Sequence, residues 1–75
     1  MDYELEFYYN PLSGSAEMVN LDFLCGIFGF GKIGQALQAV NSFVDENSEE
    51  QGEKRVLVHS ESLMEGSLEI YVVIK

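Results

Sequence analysis

A chain of 75 residues holds one domain and buries only a small core. Thirteen acidic side chains against four basic ones give a formal net charge of −9 at pH 7, which disfavours contact with nucleic acid phosphates and with anionic lipid. Hydrophobic residues make up 47% of the chain, too many for a disordered acidic tail, and the single cysteine, Cys25, excludes an internal disulfide.

The charge is unevenly placed. Between Phe23 and Val44 the sole charged side chain is Lys32. The acids lie at Asp2, Glu4 and Glu6, then from Asp45 to Glu53, then at Glu61, Glu65 and Glu69. This distribution describes a packed core inside an acidic skin. Only His59 accompanies Cys25 as a candidate zinc ligand, so no structural metal is expected to staple the domain, and self-association is the most available route to further burial. A lone cysteine fits either a reducing compartment or a free buried thiol, and a cytoplasmic setting is expected. The opening Met-Asp-Tyr-Glu lacks the basic stretch and apolar run of a signal peptide.

The first element is predicted from strict alternation. Tyr3, Leu5, Phe7 and Tyr9 point one way, and Asp2, Glu4, Glu6, Tyr8 and Asn10 the other. That period of two, in β-favouring side chains, marks a strand with one buried and one wet face. Pro11, Ser13, Gly14 and Ser15 then form a loop.

A helix follows, capped by Asn20 or Asp22 and running to about Asp45. Phe23, Ile27, Phe30, Ile33, Leu37, Val40 and Val44 keep three-and-four spacing. Gly26, Gly29, Gly31 and Gly34 each cost a helix about 1 kcal/mol relative to alanine. They imply either close approach of another backbone or a helix that starts near Gly31. The segment Leu21 to Val44 is apolar but broken by Asp22, Lys32, Gln35, Gln38, Asn41 and Ser42, so no membrane span is expected.

Asn47 to Lys54 reads as a solvated loop, and Arg55–Leu63 and Leu68–Lys75 as two strands of a hairpin. Gly66 between them is able to take positive φ. With a turn at Glu65-Gly66, Leu57, His59, Glu61 and Leu63 share the face of Leu68, Ile70, Val72 and Ile74. A slip of one residue places Val56 and Val58 there instead, and the sequence leaves both registers open. The expected fold is α+β in the order β-α-β-β, one helix packed on a three-stranded sheet.

Candidate chemistry is sparse. Gly29-Phe30-Gly31-Lys32-Ile33-Gly34 fits the GxGxxG pattern of dinucleotide sites, in which glycines let a pyrophosphate approach a helix N-terminus. That motif needs a preceding strand and a following mononucleotide-binding half, so a packing or hinge role is the better reading. Cys25 and His59 are a formal nucleophile and base, but an apolar run favours an inert thiol. His59, two residues from Glu61, suits a hydrogen-bonded imidazole. Asp45, Asn47, Glu49 and Glu53 lack the glycine and terminal glutamate placement of a calcium loop. Glu4 and Glu6 on one strand would need a cleft to act as a glycosidase pair. No cofactor is expected.

The leading candidates are Glu4, Glu6, Tyr8, Glu69 and Tyr71, aromatic rings among carboxylates on the sheet face away from the helix, with Ser60 and Ser62 beside them in one register. Such a face suits docking against a basic protein surface.

The layout resembles the N-terminal segment of uncharacterised phage and prophage proteins, on the strength of Gly29-Phe30, Gly52-Glu53 and Gly66-Ser67-Leu68-Glu69-Ile70. The resemblance implies one domain of a longer protein and transfers no activity. In size and charge alone the chain is also similar to phage-encoded inhibitors of bacterial defence.

The expected function is a non-enzymatic interaction module, self-associating, whose acidic face engages a basic partner, with no direct nucleic acid and no membrane contact. Two alternatives stand beside it. One is an inhibitor whose carboxylates imitate nucleic acid phosphates. The other is a nucleotide or metabolite binder that uses Gly29 to Gly34.

Overall fold

The computed structural model describes residues 1–75. Its elements are strands β1 (Tyr3–Pro11) and β2 (Glu17–Val19), helices α1 (Leu21–Phe28) and α2 (Phe30–Glu46), and strands β3 (Lys54–Leu63) and β4 (Gly66–Ile74). The fold is α+β. The sheet has four strands in the order β2-β1-β4-β3, every neighbouring pair antiparallel. β1 and β3 therefore run parallel to each other with β4 inserted between them.

Two details differ from the sequence expectation. The sheet gains β2, which pairs with β1 at Phe7–Val19, Tyr8–Met18 and Tyr9–Glu17. Three residues are too few for alternation to show. The single helix is two helices, broken at Gly29, whose φ of 89° and ψ of 155° belong to backbone that only glycine adopts readily. Its N–H ends α1 by donating to the Cys25 carbonyl at 2.9 Å, and its carbonyl opens α2 by accepting from the Ile33 N–H at 3.1 Å. Neither reading of the glycines holds as stated: a helix does start beside Gly31, at Phe30, but the residues before it are already helical from Leu21 to Phe28. A Cβ on Gly26, Gly31 or Gly34 would meet nothing within 4 Å, so no backbone of this chain approaches them.

Of the two candidate caps it is Asn20 that caps α1, its side-chain oxygen accepting from the Phe23 N–H at 2.8 Å, while Asp22 lies in the first turn. Tyr9 fastens that helix to the sheet. Its ring lies 5.7 Å from Phe23 and 5.8 Å from Phe28, and its hydroxyl donates to the Glu65 carbonyl at 2.7 Å.

The core lies between the helices and the helix-facing side of β4. Leu24, Ile33, Ala36 and Val40 meet Leu68, Ile70, Val72 and Ile74, all at most 3% exposed. Each fully buried Leu, Ile or Val stabilises by about 1.5–3 kcal/mol before entropy is counted. Leu5, Phe7, Val19, Phe28, Phe43 and Val58 pack around this cluster. No helix is long and apolar enough to cross a membrane.

The hairpin settles the open register in an unexpected way. Leu63 pairs with Gly66, so the turn is Met64-Glu65 rather than Glu65-Gly66. Gly66, at φ 138°, follows it, and a Cβ there would stand 2.5 Å from the Asn10 carbonyl oxygen. A β-bulge then falls between Leu57 and His59. Before the bulge Lys54 and Val56 oppose Ile74 and Val72; after it His59 and Glu61 oppose Ile70 and Leu68. Each of the two sequence registers holds on one side of Val58, because a bulge inserts one residue into the alternation.

Candidate functional site

The side of the sheet that faces away from the helices is built by the second parity of each strand. The ladder sets Glu4 opposite Val73, Glu6 opposite Tyr71 and Tyr8 opposite Glu69. All five residues singled out from the sequence thus share this face. β3 adds Arg55, Leu57, Ser60 and Ser62, opposite Val73, Tyr71, Glu69 and Ser67. β2 adds Met18 opposite Tyr8. Met18 is 61% exposed and Leu57 45%.

Arg55 organises the centre of this face. Its guanidinium carbon stands 3.7 Å from the Tyr71 ring centroid and 5.3 Å from that of Tyr8. Its Nε donates to Glu6 Oε1 at 2.9 Å, and the Tyr8 hydroxyl donates to the same oxygen at 3.0 Å. The two tyrosine rings meet edge to face, 5.5 Å apart at 84°. A stacked guanidinium with a carboxylate partner fixes three side chains in one arrangement. The hydrogen bond from Arg55, reinforced by that from Tyr8, holds the Glu6 carboxyl below the usual carboxylate range. The same bond to Glu6 raises Arg55 above its already high ordinary value.

Sequence reasoning missed Arg55. Its placement depends on the bulge, and an unbulged strand set by the hairpin turn would direct it toward the helices.

The charges of this face are largely matched. Glu6 holds Arg55 and Glu4 holds Lys75. Elsewhere Glu50 holds Lys54, and Glu61 holds Lys32 at 3.0 Å and His59 at 3.0 Å. All four Lys and Arg side chains are therefore paired, each with a different carboxylate, and thirteen acids less four leave nine, the net charge of −9. On the open face Glu69 is the carboxylate without a cationic partner. The remaining unpaired acids include Asp45, Glu46, Glu49 and Glu53 at and after the C-terminal end of α2, with Asp2, and Glu65 in the hairpin turn.

Glu61 lies on the helix-facing side of β3. The hydrogen bond from Lys32, followed by that from His59, holds its carboxyl below the ordinary carboxylate value. His59 thus has the hydrogen-bonded partner its spacing suggested. Cys25, on α1, is half-buried and free. No three His, Cys, Asp or Glu side chains converge on one point. The stretch Gly29–Gly34 follows a helix rather than a strand, so the strand–turn–helix frame of a dinucleotide site is missing. The largest depression, about 570 Å³, is open and lies over Lys54, Arg55, Val73 and Lys75.

No protein-family model matches the chain, and neither the curated proteins nor the solved structures contain a match.

Proposed function

We propose that this chain is a protein-recognition module that carries out no chemistry of its own and docks a basic protein surface through the open face of its sheet. The observation that carries the reading is the ordered cluster of Tyr8, Tyr71 and Arg55 beside the uncompensated carboxylate of Glu69. Aromatic and arginine side chains already locked in place lose little entropy on docking, and such residues dominate binding energy at interfaces. Glu69, on a central strand, offers a negative charge to a Lys or Arg of the partner.

This arrangement favours docking over imitation of nucleic acid. Two of the three acids on the face already hold Lys75 and Arg55, so no continuous stripe of free carboxylates runs along it. A photo-crosslinking side chain at Met18, on the open face, tests the reading against one at Gln35, on the exposed side of α2. In cells, the Met18 position is expected to trap a discrete basic protein, and Glu69→Lys is expected to abolish the adduct. Equal trapping from both positions, or an adduct unmoved by Glu69→Lys, overturns it.

A further inference from the structure

The two edges of the sheet are unlike. β2 offers three residues, whereas β3 offers ten, and no element pairs with its outer backbone. A long unpaired edge is a template for another strand. Its charges decide which strand. A chain of net charge −9 repels its own copy wherever unpaired carboxylates would meet. Every charged side chain of β3 is compensated: Lys54 by Glu50, Arg55 by Glu6, and Glu61 by Lys32 and His59.

The edge is also complementary to itself. Lys54 and Glu61 are seven residues apart, so in a regular strand they would point to opposite faces. The bulge at Val58 brings both to the helix-facing side. When two such strands meet antiparallel about a two-fold axis, opposed residues must share a face. The register that sets Lys54 against the second copy's Glu61 meets this condition. It also sets Val56 against His59 and Arg55 against Ser60, and the axis repeats each pairing. The arms Lys54–Val56 and His59–Glu61 form these ladders, and the two bulges lie at the centre. An ammonium has three donors and a carboxylate about four acceptor positions, so both groups keep their internal partners.

We infer that two copies of this chain associate through β3, antiparallel across a two-fold axis, joining two four-stranded sheets into one of eight strands with Lys54 of each copy against Glu61 of the other. This inference does not rest on the docking reading above: it uses the outer backbone of β3, although Arg55 belongs to both the strand and the open face.

Charge reversal tests it in the full chain, with sedimentation velocity reading the mass and circular dichroism checking the fold. The wild type is expected to be a concentration-dependent dimer. Lys54→Glu and Glu61→Lys each set like charges together at both arms, so each alone is expected to weaken dimerisation about tenfold or more. Mixing the two variants restores opposite charges at both arms and is expected to recover a heterodimer. Lys54 is exposed and its substitution leaves the core untouched, which keeps the test valid if Glu61→Lys folds poorly. A wild type that stays monomeric at high concentration overturns the inference. So does a dimer that survives Lys54→Glu, or a mixture of two folded variants that stays monomeric. A dimer lost with Tyr71→Ala but kept with Lys54→Glu assigns self-association to the open face and also overturns it.

Discussion

Arg55 and Tyr71 lie on neighbouring strands, and the guanidinium stands 3.7 Å from the ring centroid while its Nε is held by Glu6. Planarity makes that double engagement possible, and a lysine ammonium cannot reproduce it. Arg55→Lys is therefore expected to lower the urea midpoint although the charge is kept. The loss is expected to be smaller when Tyr71 is already leucine. Equal losses in the two backgrounds, measured as a double-mutant cycle, would remove the stacking argument.

The core makes a sharper demand on stability. Leu24 and Ile70 are both fully buried at the junction of helix and sheet. Truncation of either to alanine is expected to destabilise the fold by about 2–5 kcal/mol, enough to unfold a marginal domain. Leu57→Ala, on the exposed face, is expected to change stability by about 0.5 kcal/mol or less. Chemical denaturation of the three variants checks the contrast.

Two glycines five residues apart are expected to respond with opposite signs. Gly29→Ala forces a side chain into backbone at φ 89° and is expected to cost about 1–3 kcal/mol. Gly34 lies inside α2 with open space where a Cβ would go. Gly34→Ala is expected to stabilise by about 0.4–1 kcal/mol, mainly by restricting the unfolded chain. Thermal melts of the two variants beside the wild type measure both.

Glu61 gives the fold a defined acid sensitivity. Its carboxyl is held below its ordinary value by Lys32 and then His59. A depressed folded value means that the unfolded chain binds the proton first as pH falls. The stability contributed by Glu61 is thus complete above the ordinary carboxylate range and lost as pH drops through the depressed value. Glu61→Gln is expected to be less stable than wild type at pH 7, with the gap closing toward pH 3. A gap that stays constant over that range would show that the carboxylate charge is not what holds α2 to β3.

Much of this arrangement was legible in the residues. The alternation of Tyr3 to Asn10 placed Glu4, Glu6 and Tyr8 on one face, and that of Leu68 to Ile74 placed Glu69 and Tyr71 there too. These strands are long enough for period two to speak clearly. The three-residue β2 carries no period, and the break at Gly29 hides in apolar spacing that runs through both helices. Arg55 could not be placed because two registers of β3 were equally compatible with the pattern, and a bulge satisfies both. The ion pairs of Lys32 and Lys75 join residues 29 and 71 positions apart, which local pattern reading does not reach.

Val58 has a consequence for how this chain can change length. Leu57 and His59 already oppose neighbouring residues of β4, Tyr71 and Ile70, so the residue between them is a spare link in the ladder. Excising it would straighten the strand and give up the packing of Val58 against the core, yet leave every other side chain on its present side, with Arg55 on the side of Tyr71. Removing one residue from the regular part of β1 or β4 would instead turn half of that strand inside out. Variation in length within this sheet therefore has one lenient address, and it sits in the middle of the longest strand.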